Sequence, residues 1–239
     1  MRKTFFSVTS IVIALSMVGS AHADVNSWTG LYAGANAGFT FNDAQLEASQ
    51  LGFTSPISAC HQHSNFSKFF SGAQFGYSYQ FPNKIVSGIE ANVTLNNDQK
   101  HTFTCNSQFN PGVYDRFAFR NQMQTALKGR VGLAEDWKNI IFLPYVTAGM
   151  SVANLGLTYA NEGSDYYSKN ASQLGWLVGV GIEWAFMQHW SARAEYDFVD
   201  YGNAMNLNLP TIYDLNDPGA KAKVNLNSNN IMLAINYWI

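Results

Sequence analysis

The chain has 239 residues, of which only 13% are charged, 47% hydrophobic and 15% aromatic, with 19 Gly, 6 Pro and 2 Cys. So many apolar and aromatic side chains exclude a disordered chain. Fourteen Lys and Arg against sixteen Asp and Glu leave no basic stripe to neutralise phosphates, which excludes nucleic acid as a partner.

The first element in chain order is a targeting segment. Met1-Arg2-Lys3 is positively charged, Phe5 to Val18 is mostly apolar, and Ala21-His22-Ala23 is a small-x-small cleavage site. These features predict a secretory signal peptide over 1–23, with the exported domain over 24–239. The apolar run is too short for a membrane-spanning helix, which takes about 20 residues. Removing this segment leaves 12 basic against 16 acidic residues, a net charge of −4.

The remainder reads with a period of two. Leu31, Ala33, Ala35, Ala37 and Phe39 alternate with Gly30, Tyr32, Gly34, Asn36 and Gly38. Trp176, Val178, Val180, Ile182 and Trp184 alternate with Gly175, Gly179, Gly181 and Glu183, and the C-terminal segment repeats the pattern with Ile231, Leu233, Ile235, Tyr237 and Ile239. Apolar residues at i, i+2 and i+4 specify strands, not helices. Eight such segments are predicted, at 28–41, 67–81, 85–95, 117–134, 140–154, 172–186, 190–202 and 228–239. They are joined by short turns at 82–84, 135–139 and 187–189, and by four long polar loops at 42–66, 96–116, 155–171 and 203–227. An even number of strands with short turns on one rim and long loops on the other predicts an all-β fold, an eight-stranded antiparallel up-and-down transmembrane β-barrel. Ten strand residues at ~3.3 Å, tilted about 40°, span roughly 25 Å, the height of such a barrel's apolar band.

The face opposite the apolar one carries Lys68, Glu90, Lys128, Arg130, Glu183, Arg193, Glu195 and Asp197. Lys or Arg facing lipid at the midplane costs about 2–4 kcal/mol, so these groups are assigned to the lumen, where equal numbers of opposite charges would pair. A lipocalin-like carrier, with the same strand count but an apolar lumen, fits this pattern poorly. Trp28, Tyr79, Phe81, Phe142, Trp184, Phe186, Trp190 and Tyr237 fall near the short turns, where an aromatic girdle belongs.

Several motifs resemble one family. They are Trp28-Thr29-Gly30-x-Tyr32-x-Gly34-x-x-x-Gly38, Lys128-Gly129-Arg130-Val131-Gly132, Phe142-Leu143-Pro144-Tyr145-Val146-Thr147-x-Gly149, Gly175-Trp176-x-x-Gly179-x-Gly181-x-Glu183, and Trp190-Ser191-x-x-x-Glu195-Tyr196-x-Phe198-x-Asp200-Tyr201-Gly202. In this order they resemble the small opacity-type outer-membrane proteins, surface antigens of Gram-negative bacteria related to the OmpA-like transmembrane barrel. The resemblance implies a multi-pass location in the outer membrane, among its lipids and lipopolysaccharide. It also implies insertion by the outer-membrane assembly machinery and loops that contact host or envelope ligands. The family's C-terminal assembly signal ends on an aromatic residue, usually Phe. Ile235, Tyr237 and Ile239 keep its alternation but end differently.

Cys60 and Cys105 lie in the first two predicted loops. Oxidising surroundings predict a disulfide between them, on the order of 3–4 kcal/mol by chain entropy. An alternative uses His61, His63 and His101, which with the cysteines could capture a metal or haem iron. No cofactor is called for otherwise. A hydrolytic site needs a nucleophile, a base and an orienting acid, and the only His beyond these loops and the leader, His189, sits in a short turn. Gly179-x-Gly181 opens no helix and is no dinucleotide motif. The sequence therefore predicts a non-enzymatic surface protein that anchors interacting loops. The alternatives are a narrow porin-like channel and loop-borne metal or haem binding.

Overall fold

The computed structural model describes residues 28–50, 60–97, 101–106, 114–137, 140–161, 164–209 and 220–239. The predicted signal peptide lies outside the described residues. The strands are β1 (Gly30–Gln50), β2 (Cys60–Gln80), β3 (Ile85–Asn96), β4 (His101–Asn106), β5 (Tyr114–Leu133), β6 (Glu135–Trp137), β7 (Ile140–Asn161), β8 (Ser164–Met187), β9 (Trp190–Leu209) and β10 (Ala220–Trp238). All pairings are antiparallel. Both β3 and β4 pair with β5, and β6 continues β5 along β7, so ten segments fill eight positions. Pairing of Tyr32 with Trp238 closes the ring between β1 and β10.

Side-chain orientation follows the alternation. Val180, Ile182, Leu127, Leu233 and Ile89 stand on the outer wall, whereas Glu183, Arg193, Lys128, Met232 and Glu90 are buried inside it. Tyr79, Phe81, Trp184, Phe186, Trp190 and Tyr237 form the outward aromatic belt near the short turns, with Phe142 half-buried. Trp28 departs from the predicted girdle. It turns into the lumen, where its ring meets Trp238 edge-on at 5.5 Å between centroids, and with Tyr32 and Leu143 they fill the short-turn end.

The predicted strand ends are corrected more substantially. Much of what the sequence assigned to long loops continues as strand: β1 runs nine residues past 41, and β2 starts seven before 67. Residues 155–171 and 203–227 are likewise largely absorbed into β7, β8, β9 and β10, and 96–116 contains the last residue of β3, all of β4 and the start of β5. The reason is a reversal of polarity along a continuous strand. In β1 the outward positions change from Phe39 and Phe41 to Asp43, Gln45 and Glu47, while the inward ones change from Asn36 and Thr40 to Ala44 and Leu46. In β10 the inward Asn236, Asn230 and Ser228 give way to Leu226 and Val224, and the outward Ile231 gives way to Asn229 and Asn227. Lipid surrounds the lower wall and water the upper one, so the apolar face changes sides at the boundary. A strand of 20 residues reaches about 50 Å when tilted, roughly twice the apolar band.

Among the described residues the upper part is not a closed ring. Pairing of β8 with β9 ends at Trp176 and Asp200, and pairing of β2 with β3 ends at Phe70 and Asn96, with one further bond from Asn97 N–H to the Phe69 carbonyl (3.0 Å). Above these points the wall splits into two sheets. One comprises the upper parts of β9, β10, β1 and β2, and the other β4 with the upper parts of β5, β7 and β8. Between them lies an apolar core. Leu46, Tyr201, Val224 and Leu226 from one sheet meet Phe103, Phe117, Phe119, Leu155 and Leu157 from the other. A bulge at Asn121–Met123 in β5 shifts the alternation by one residue, so both Phe119 above and Gln124 below face inward.

We expect Val180→Arg to reduce stability by about 2–4 kcal/mol, because the guanidinium would face lipid. Gln45→Arg, on the wetted upper wall, should change it by less than about 0.5 kcal/mol. Equilibrium urea unfolding in lipid vesicles measures both, and equal costs would contradict the placement of the lipid boundary.

Candidate functional site

The lower lumen is occupied by one continuous polar cluster. Arg193 donates to both carboxylate oxygens of Glu90, with Nη2 to Oε1 at 3.1 Å. The Tyr32 hydroxyl donates to the same carboxylate at 2.8 Å, and Lys128 Nζ stands 3.5 Å from it. Lys128 also donates to Glu195 and, at 3.2 Å, to Asp197. Arg130 donates to Glu183 at 2.6 Å and lies over the Tyr145 ring, 4.6 Å from its centroid. The Tyr145 hydroxyl donates to Glu195. On the far side of Glu183, Ser191 Oγ and Asn236 Nδ2 donate to Oε1, and the Trp238 indole N–H donates to Ser191 Oγ at 2.9 Å.

Register explains how distant parts of the chain meet here. Glu90 and Lys128 are direct neighbours across β3 and β5, as are Glu183 and Arg193 across β8 and β9. Inward glycines make room for the longer side chains. A Cβ at Gly76 would collide with the Tyr32 ring, and one at Gly181 with Tyr145.

Seven of the eight sequence-assigned lumen charges belong to this cluster. Lys68 is also buried but lies higher, with Nζ 5.6 Å from the Phe66 ring centroid. The tyrosines and the hydrogen-bonding Ser191, Asn236 and Trp238 were not singled out as part of this network. The available signal was their inward parity on strands that also carried inward charge.

The cluster, the aromatic layer below it and the apolar core above it fill the lumen. The interior opening found beside Lys128 and Asp197, lined also by Asn92, Gln124 and Asn230, has a volume of about 30 Å³. Such a space holds a water or two, not a file of hydrated ions.

The three histidines proposed as a metal or haem set do not converge. His61 and His63 face outward from β2, and His63 Nε2 lies 3.1 Å from Asp43 Oδ1. His101 points inward from β4, stacked on Phe66 with centroids 4.5 Å apart and hydrogen-bonded to Ser64 Oγ at 2.6 Å. Neighbouring positions along a strand alternate sides, and residues 61 and 63 share the outer one. Among the described residues no group of three or more ligating side chains forms a metal site. The Cys60 and Cys105 side chains lie outside the described residues, so the predicted disulfide concerns groups not described here. Ile235 and Tyr237 face outward at the end of β10, and Ile239 N–H donates to the Leu31 carbonyl at 2.8 Å.

A family model for the outer membrane protein beta-barrel domain matches residues 10–237. This chain belongs to that family. The 31 kDa outer-membrane immunogenic protein of Brucella melitensis is 23% identical over 233 residues, covering 91% of this chain and 86% of that protein. The 25 kDa outer-membrane immunogenic protein of Brucella ovis is 27% identical over 180 residues, covering 75% of this chain and 73% of the relative. Among solved structures, the outer membrane protein OprG from Pseudomonas aeruginosa shares the fold, with a TM-score of 0.53 at 14% identity, covering 88% of this chain and 96% of that one. The protein is thus an outer-membrane β-barrel of a Gram-negative bacterium.

Removing one partner from the cluster strands the others in a dehydrated lumen. Glu90→Ala leaves Arg193 without its fork and Tyr32 without its acceptor, and takes one of three carboxylates from Lys128. A loss of about 3–5 kcal/mol is expected, read from vesicle unfolding. A neutral result would show that the lumen admits water. His101 is a separate test: burial, and then the Lys68 charge, hold its pKa below the ordinary histidine value. The folded ring resists protonation, so its contribution to stability is lost as pH falls below about 6.5, where the unfolded chain takes the proton. An NMR titration in nanodiscs should show His101 titrating low and moving upward in Lys68→Met.

Proposed function

We propose that this protein is a non-conducting anchor that carries a rigid β-structured interaction platform above the outer membrane, the adhesive or antigenic role expected of its surface. The observation that carries this reading is the filled lumen. An aromatic layer, an ion-paired layer and an apolar core succeed one another along its axis. Conduction would require the separation of Arg193 from Glu90 and of Arg130 from Glu183 in a lumen with room for little more than a water or two beside them. The upper sheets, by contrast, present polar side chains to water on an apolar core, as a soluble interaction domain does.

The partners that fit this reading are lipid and lipopolysaccharide around the lower wall, and host or envelope ligands against the upper one. The outward Ile235 and Tyr237 fit a role in recognition by the assembly machinery, with Ile239 completing the signal. Antigenicity of the upper wall is consistent with the names of the Brucella relatives.

Single-protein recordings in planar bilayers test the central point. We expect no steady conductance from the native chain. A sustained conductance that Arg130→Ala or Glu183→Ala alters would replace this reading with a narrow pore.

A further inference from the structure

The lipid-facing wall has a recess near its short-turn end. Val131, Val146, Val180 and Pro144 form the floor, Ile85 and Leu133 form one side, and the volume is about 590 Å³. The outward side chains around it are longer, with Leu127 and Met150 above and Phe142 and Trp184 below. Pro144 accounts for the break in the wall. It has no N–H, and the ladder between β5 and β7 stops at Gly132 and Tyr145, to resume at Glu135 and Phe142 where β6 begins. The chain is described without a gap through the whole lining, and the recess opens on the side that lipid covers.

Charge gathers directly below. Lys84 precedes Ile85, and its carbonyl accepts from Ala134 N–H at 2.9 Å. Glu135 continues the outward face beneath Leu133, and Asp136 follows it; all three charged side chains are exposed. The aromatic belt of Phe81 and Trp184 marks this depth as the membrane interface. Lys84 is also the one non-glycine residue with positive φ among the described residues, at 65° in a turn closed by its N–H to the Phe81 carbonyl (3.0 Å). Such a backbone favours Gly or Asn. A lysine kept there sets an ammonium on the same rim as two carboxylates, at the mouth of an apolar recess.

The short turns of these barrels face the periplasm, so the lipids at this depth are phospholipids of the inner leaflet. We infer that the recess is a docking site for one zwitterionic phospholipid of the phosphoethanolamine class. The phosphate lies against Lys84, the ammonium against Glu135 and Asp136, and the first carbons of an acyl chain cover Pro144 and the valines. An anionic phospholipid would meet two carboxylates for one lysine and brings no ammonium to satisfy them. A second copy of this chain docked by the same face would oppose its own net negative rim with an equal one. The site is separate from the platform above, and its failure would leave that reading as it stands.

Folded full-length protein in detergent micelles is given equimolar phosphatidylethanolamine and phosphatidylglycerol with matched acyl chains, and retained lipid is counted by native mass spectrometry. We expect one retained phosphatidylethanolamine per barrel, favoured by about fivefold, the size of a strong interfacial ion pair. Val146→Trp fills the recess and should cut retention by about fivefold or more, whereas Leu233→Trp on the wall at β10 should not. Lys84→Asn, which suits the left-handed backbone, should weaken retention, and Glu135→Lys with Asp136→Lys should turn the preference toward phosphatidylglycerol. Equal retention of the two lipids, or native retention in Val146→Trp, would overturn the inference. So would a dimer that Val146→Trp dissolves, which would assign the recess to a second copy. If Val146→Trp fails to fold, judged by heat-modifiable migration, the rim variants decide alone, and an unchanged preference in both overturns the site.

Discussion

A strand that borders lipid has only one face on which an ionised group can be kept, and that restriction organises the lower half of this molecule. Hydrocarbon outside forces Lys128, Arg130, Arg193 and their carboxylates into a lumen narrow enough that every group lies beside another. Once there, each charge is held by at least one partner of opposite sign, and the carboxylates of Glu90 and Glu183 also accept from neutral donors. Such clusters make partners interdependent: the guanidinium of Arg193 is tolerable because Glu90 is there, and the reverse holds equally. The same interlocking is the basis for the non-conducting role proposed above.

Above the lipid boundary the restriction is lifted and the arrangement reverses. Water outside rewards Asp43, Gln45 and Asn65 on the outer wall, and the freed interior is filled by Leu46, Phe119, Leu155 and Leu226. The upper half thereby becomes a sandwich of two sheets continuous with the barrel below. Continuity gives it a firm base, since the eight strand positions that cross the membrane also carry the sandwich. Its geometry is therefore set by strand pairing within the membrane as much as by its own core.

The lower half was legible because one chemical rule applied throughout it: Val180 and Ile182 against Glu183 and Arg193 could be read as lipid and lumen directly. The upper half was missed because the same rule was carried past the place where it holds. At Phe41 and Asp43 the outward face turns polar, which reads as the end of a strand when lipid is assumed outside. Ala44, Leu46, Leu155 and Leu157 kept the period of two, but on the opposite face. Trp28 was misplaced for a related reason: a large aromatic near a short turn suits either wall, and only the proximity of Trp238 in space decides it. The histidines were grouped by closeness in sequence and by loop assignment, whereas strand parity sends His101 inward and His61 and His63 outward.

The pairing of β1 with β10 joins Tyr32 to Trp238, positions 206 apart in the chain. Every other adjacent pair in the ring joins strands that follow one another in sequence, apart from the short interruptions at β4 and β6. The final seam therefore cannot form until the last strand has been delivered, and Trp28 and Trp238 act as a clasp across it. Truncation at either end would deprive an otherwise complete wall of its fastening, so wholeness of the polypeptide is checked by the act of closure itself.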